Sequence, residues 1–169
     1  MALACAFAAN ARCGEVTPSD LQAVANTFNF AEGLPHSGPI AVGVVFASDQ
    51  PEAKIEAARL AARLDAIHGP NDLPLQGVAI SVDELARLQY PPAVLLLLSG
   101  TIQRASVINE VARRHHLITI STDPSCLDAK CCVLMVQAND RVKIVLDTAV
   151  ADAVGANFSS IFAMMVERR

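Results

Sequence analysis

The chain has 169 residues and a mass of 17.8 kDa, enough for one compact domain with a sizeable core. Apolar residues make up 53% and charged residues only 18%, which argues against a disordered acidic tail or a solvating linker. With 13 Lys and Arg against 17 Asp and Glu, six Phe, one Tyr and no Trp, neither a basic phosphate-binding surface nor an aromatic stacking platform is expected, so no nucleic-acid partner is expected.

Residues 1–11 (MALACAFAANA) are small and apolar and end in Ala9-Asn10-Ala11, an A-x-A pattern of the kind signal peptidases cut after. The stretch lacks a basic leading segment and is shorter than a full signal peptide. Two readings therefore stand side by side, the remnant of a signal peptide ahead of a domain over 12–169 and an ordinary N-terminal helix. No run reaches the roughly 18 apolar residues of a membrane-spanning helix, so direct membrane insertion is not expected. Five cysteines occur, at 5, 13, 126, 131 and 132. On the signal-peptide reading export removes Cys5, and the even number left suits a disulfide framework in an oxidising compartment.

The domain begins with a helix signal. Thr17-Pro18-Ser19-Asp20 places a capping hydroxyl before a proline at the first helical position, with an acid in the first turn. A helix through Leu21, Val24, Ala25 and Phe28 follows and ends near Gly33-Leu34-Pro35. Ile40–Phe46 (IAVGVVF) is a continuous apolar run rich in β-branched residues, the pattern of a strand covered on both faces. Ser48 or Asp49 caps a long helix from Pro51, whose Ala53, Ala57, Leu60, Leu64 and Ile67 form one stripe, with Glu56 and Arg59 close enough to pair.

The cycle then repeats. Leu75–Ile80 is a strand, and Ser81-Val82-Asp83-Glu84 is a capping box opening a short helix. Ala93–Leu98 is the most apolar strand and is predicted to be central. Ser99-Gly100-Thr101 leads into a helix through Ile102, Ala105, Ile108, Val111 and Ala112, and Leu117–Ser121 is a fourth strand. Strands alternating with helices predict right-handed βαβ units and a parallel sheet. The pattern then changes: Cys132–Gln137 and Val142–Leu146, joined by Ala138-Asn139-Asp140-Arg141, read as an antiparallel hairpin. Two short helices close the domain, after Asp147 and after Ser159. The predicted fold is a single three-layer α/β domain, a mixed sheet of about four parallel strands plus a C-terminal hairpin, with helices on both faces.

Three stretches resemble the YfiR-like periplasmic family, whose best-known members repress an inner-membrane diguanylate cyclase. Leu21–Ala31 (LQAVANTFNFA), a short Pro-containing loop and the strand Ile40–Phe46 resemble the family's opening helix and first strand. Leu117–Pro124 (LITISTDP) is similar to the family's "LTISD" strand end. Cys131–Met135, Arg141–Asp147 (RVKIVLD) and Gly155–Ser160 (GANFSS) look like its hairpin with the "FEINL" strand and its final "ISS" segment. The chain departs from the family in having Leu34-Pro35 where Trp-Pro is usual and Asp128-Ala129-Lys130 in place of a "GGM" turn. The family's Cys just before the third strand is also missing, since Pro91-Pro92 precedes Ala93. The resemblance implies a non-enzymatic periplasmic protein that binds the periplasmic domain of an inner-membrane signalling protein, of diguanylate cyclase or sensor type, and represses it by occlusion. It also implies a disulfide between Cys126 and Cys132, whose short loop restrains the unfolded chain by roughly 2 kcal/mol. Cys13 is left unpaired, or bonded to Cys131 or to a second chain. The loop around Pro124–Lys130 is the candidate switch, responsive to disulfide state or dimerisation.

The competing reading is a solute-binding module. Ser48-Asp49, Ser81, Ser99, Gly100, Thr101, Ser121, Thr122 and Asp123 all follow parallel strands and gather along the sheet's carboxyl edge, where open α/β sheets bind ligands. The ligand-contact candidates are Ser99, Gly100, Thr101, Ser121, Thr122 and Asp123, set against the plainer reading of Ser99–Thr101 as a helix cap. No nucleophile–base trio, P-loop or dinucleotide motif is present, so neither catalysis nor a cofactor is expected. The His115-His116 pair with the three late cysteines fits no zinc-ligand spacing and reads as cations at a helix C-terminus. Phe158, Phe162, Met164 and Met165 are read as core, with a partner surface as the alternative, and the low charge fraction suits a homodimer interface.

Overall fold

The computed structural model describes residues 15–169. The signal-peptide reading of 1–11, Cys5 and Cys13 lie outside the described residues. Helix α1 (Pro18–Thr27) starts as its sequence dictates: the Thr17 hydroxyl accepts from the Asp20 N–H, and the Asp20 carboxylate accepts from the Thr17 N–H at 2.8 Å. After a 3-10 turn over Phe28–Phe30 come strand β1 (Ile40–Phe46), helix α2 (Pro51–Leu64), strand β2 (Leu75–Ser81), helix α3 (Val82–Leu85) and strand β3 (Val94–Leu97). A 3-10 segment, Ser99–Arg104, runs into helix α4 (Ala105–His115). Strand β4 (Ile118–Ser121), helix α5 (Ser125–Asp128), strand β5 (Leu134–Ala138) and strand β6 (Val142–Leu146) follow. Helices α6 (Thr148–Val154) and α7 (Ser160–Met165) and strand β7 (Glu167–Arg168) complete the fold.

The sheet order is β2-β1-β3-β4-β5-β6-β7. Strands β1 to β5 run parallel, β6 is antiparallel to β5, and β7 is parallel to β6. The expected α/β fold with a mostly parallel sheet and a hairpin is thus present. The hairpin's first strand also extends the parallel array, by pairing with β4 on its other side. Right-handed crossovers place α2 on one face of the sheet and α3, α4 and α5 on the other.

The apolar runs sit where double coverage requires them: Val42, Val44 and Val45 of β1 and all four residues of β3 are buried. Because β1 lies between β2 and β3, the strand order reverses at β1/β3, the position where ligand crevices form in open parallel sheets.

Three local expectations are corrected. Neither Ser48 nor Asp49 caps α2: the N-cap is Gln50, without a side-chain hydrogen bond, and the Ser48 hydroxyl donates to Asp83 instead. The helix expected through Ile102 begins one turn later, because Ser99–Arg104 winds as a 3-10 segment. The hairpin strand starts at Leu134, since Cys132 is tied into the preceding loop. The two-residue β7 carried too short a pattern to be read. At the end of α4, His116 adopts the left-handed conformation (φ 56°) and its Nδ1 lies 2.9 Å from the Val154 carbonyl, anchoring α4 to α6.

Candidate functional site

The carboxyl ends of β1, β2 and β3 lie side by side, with Phe46 in register with Ser81 and Val45 with Leu97. Beyond them opens a crevice of about 170 Å³ lined by Ala47, Ser48, Asp49, Val82, Asp83, Gly100, Gln103 and Arg104. Ala47 and Val82 are buried and supply its apolar lining. Asp83 is held from both sides, its Oδ2 accepting from the Ser48 hydroxyl at 2.6 Å and its Oδ1 from Arg104 Nη2 at 2.9 Å. The Ser48 hydrogen bond, then Arg104, lower the Asp83 pKa below the ordinary aspartate value. The Asp49 carboxylate has no ion-pair partner among the described residues. The Gln50 amide overlies Gly100, so that a Cβ there would meet Gln50 Oε1 at 2.7 Å.

Of the six residues expected at a ligand site, only Gly100 lines this crevice. Thr101 is fully buried and its hydroxyl donates to the Leu98 carbonyl. Ser121 is likewise buried, donates to the Leu97 carbonyl and accepts from the Asp123 N–H. The Asp123 carboxylate accepts from the Ser125 N–H and hydroxyl, opening α5, and the Thr122 carbonyl accepts from Gln137. Ser99 Oγ is buried and is the one such polar side-chain atom without a partner among the described residues. The residues that do converge (Ser48, Asp49, Asp83, Gln103 and Arg104) come from three connections. Of these, the sequence placed Ser48 and Asp49 both as candidate caps and at the sheet's carboxyl edge, and placed Asp83 inside a capping box. Gln103 and Arg104 carried no signal at all.

The cysteines form a second cluster. Cys126 and Cys132 are joined by a disulfide with a Cα–Cα distance of 5.6 Å, as the family resemblance implies. Among the described residues Cys131 has no disulfide partner. It is fully buried, its Sγ lies 3.7 Å from the Cys126 carbonyl, and desolvation pushes its thiol up to about 11. The surrounding loop is tied down, since Lys130 Nζ lies 2.8 Å from the buried Asp147 carboxylate and Arg169 Nη1 lies 2.9 Å from Asp128. No group of His, Cys, Asp and Glu among the described residues is arranged to hold a metal.

At the opposite end of the sheet, an apolar groove of about 170 Å³ is lined mainly by Ala23, Phe30, Val142, Ile144, Phe162 and Met165. Phe162 is buried here, stacked between Phe30 and Phe158 at centroid distances of 5.1 and 5.2 Å. The C-terminal aromatic and methionine group therefore divides: Phe162 is core, whereas Val142, Ile161, Met164 and Met165 are 60–79% exposed. Strand β7 pairs only with Val145 and Leu146, so Val142–Ile144 have a strand neighbour on one side alone.

No protein-family model and no curated protein sequence matches the chain. Several solved structures share its fold, among them these two. One is the ligand-free, open structure of a substrate-binding protein with adhesive properties from Clostridium difficile, at TM-score 0.58 and 11% identity over 76% of this chain and 54% of that one. The other is described as the ABC domain in complex with L-Trp from Streptococcus pneumonia, at TM-score 0.62 and 6% identity over 89% of this chain and 60% of that one. The chain thus spans a little over half the length of either. At such identity the likeness is one of fold. No helix among the described residues is long and apolar enough to cross a membrane.

Proposed function

We propose that this chain is a non-enzymatic regulatory protein of the periplasm that binds the periplasmic domain of an inner-membrane signalling protein, of diguanylate cyclase or sensor type, and represses it by occlusion. The observation that carries this reading is the exposed apolar group Val142, Ile161, Met164 and Met165 beside a half-open sheet edge. The resemblance to YfiR-like proteins supplies the kind of partner, and the Cys126–Cys132 disulfide suits an oxidising compartment.

Charge on the same edge argues for a partner of different sequence. A two-fold antiparallel pairing of β6 with a second copy centred on Val142 or Lys143 sets Lys143 opposite Arg141 or opposite Lys143, which disfavours self-pairing there.

The test is a pull-down from the source cell's membranes with the exported protein and with a Val142→Asp/Met165→Glu double variant. Capture of a membrane signalling protein by the first and its loss with the second is the expected result. Recovery of no such protein, or undiminished capture by the variant, refutes the reading.

A second reading, a module holding a small polar ligand at the sheet's carboxyl edge, is favoured by the crevice at the β1/β3 strand reversal. The structures of similar fold are described as a substrate-binding protein and an L-Trp complex, which lends the reading support.

A further inference from the structure

The crevice at the ends of β1, β2 and β3 is selective in what it leaves unsatisfied. Both oxygens of Asp83 are engaged, one by the Ser48 hydroxyl and one by Arg104 Nη2. Asp83 therefore offers an incoming molecule little. Arg104 has given one nitrogen to this pair, and its Nε and Nη1 have no protein acceptor among the described residues. A guanidinium with two nitrogens open is matched by a carboxylate. The crevice is also lined by Asp49 and Gln103, neither side chain with a hydrogen bond among the described residues. An acceptor pair of this kind is matched by an ammonium, which brings three N–H donors.

A plain anion leaves Asp49 facing it, and a plain cation leaves Arg104 facing it. A molecule carrying both charges satisfies both residues. Size narrows the class further. About 170 Å³ lies below the roughly 300–1,000 Å³ of pockets that enclose drug-sized ligands. The apolar lining, Ala47 and Val82, matches a short aliphatic stem.

Resting on the second reading above, we propose that the crevice binds a small free amino acid, its carboxylate on Arg104 and its ammonium on Asp49 and Gln103.

The experiment is a titration of the full chain, followed through its backbone amide resonances, with four probes: glycine, L-alanine, acetate and ethylamine. Glycine or L-alanine is expected to shift the Gly100 and Gln103 amides saturably, while acetate and ethylamine bind about tenfold or more weakly. Asp49→Asn and Arg104→Gln are each expected to weaken the amino acid about tenfold or more. Both side chains are at the surface, so thermal melting within a few degrees of the parent shows that the variants remain folded. Acetate or ethylamine binding as well as glycine, with loss in the variants, overturns the amino-acid class and leaves the ligand-site reading standing. Saturable binding that neither variant weakens places the ligand elsewhere and overturns the proposal. No perturbation by any probe at millimolar concentration overturns the proposal and the second reading together.

Discussion

Replacing Gly77 with alanine tests whether α2 and β2 are held together by backbone contact. Gly77 lies in the interior of β2, opposite Val42 of β1, beneath the C-terminal turn of α2. A Cβ at this position would lie 2.2 Å from the Ala61 carbonyl oxygen and 2.5 Å from the Ala61 Cα. These are backbone atoms of a helix and cannot swing aside as a side-chain end can. Restoring ordinary contact at 3.4 Å requires α2 to lift from the sheet by about 1.2 Å. A gap of about 0.5–1 Å already forfeits a quarter to a half of each dispersion contact, and Ala57, Leu60, Ala61 and Leu64 are all buried along this seam. The shift also strains the 2.7 Å hydrogen bond from the Gly77 N–H to Asp65 Oδ1. Overpacking of about 1–3 kcal/mol and a lost hydrogen bond of about 1 kcal/mol are offset by less than about 1 kcal/mol of unfolded-state entropy. The net expectation is about 2 kcal/mol, a fall in Tm of roughly 4–8 °C for a domain of this size.

Gly43→Ala is the internal comparison. Its Cβ would meet only side-chain ends, Leu95 Cδ2 at 3.0 Å, Ile80 Cδ1 at 3.1 Å and Pro92 Cγ at 3.2 Å, which can adjust for about 1 kcal/mol. Urea and thermal unfolding of the two variants measure both. A Gly77→Ala protein within about 0.5 kcal/mol of the parent, or less affected than Gly43→Ala, refutes the reasoning.

Further outcomes follow from the same geometry. Reduction of the Cys126–Cys132 bridge frees a short loop and is expected to cost about 2 kcal/mol, read as a Tm lower by roughly 4–8 °C under reductant. In the native protein Cys131 is expected to resist alkylation near neutral pH and to react once the chain is unfolded, because burial raises its thiol to about 11; mass spectrometry after brief alkylation decides this. Asp20→Ala removes the carboxylate that accepts from the Thr17 N–H in the α1 capping box and from the Ala138 N–H at 2.7 Å, so a loss of about 2–3 kcal/mol is expected in denaturant titration, with Asp20→Asn retaining part of it. Asp83 is expected to titrate below the ordinary aspartate range of about 4. Its contribution is fully present above that range and is lost as pH falls through the lowered pKa, and the carboxyl carbon shift followed against pH reads the midpoint.

Most of the scaffold was legible because its signals are local. Thr17-Pro18-Ser19-Asp20 and Ser81–Glu84 each place the capping oxygen and its acidic counterpart within four residues, and both boxes form. The apolar runs of β1 and β3 have no polar alternation, so they had to be covered on both faces. The ligand crevice was legible only in part. The sheet's carboxyl edge was the right place, but a hydroxyl or carboxylate after a strand has two uses, to bond its own backbone or to face solvent. Thr101, Ser121 and Asp123 took the first. Arg104 enters the crevice through a contact no local pattern encodes, with Asp83, 21 residues away along the chain.

The sequence by itself determined the alternation of strands and helices and the switch to a hairpin near the end, because hydropathy periodicity and caps act over one or two turns. The Cys126–Cys132 bridge was an expectation carried by the YfiR-like resemblance, and the fold brings the two residues together. The tertiary structure decided what no local pattern encodes: the β2-β1-β3 order that opens the crevice, and the burial of Cys131 beside the bridge. It also split the C-terminal apolar group into a buried Phe162 and exposed Met164 and Met165. Each of these depends on contacts between segments far apart in the chain, and such contacts are set by how whole elements pack.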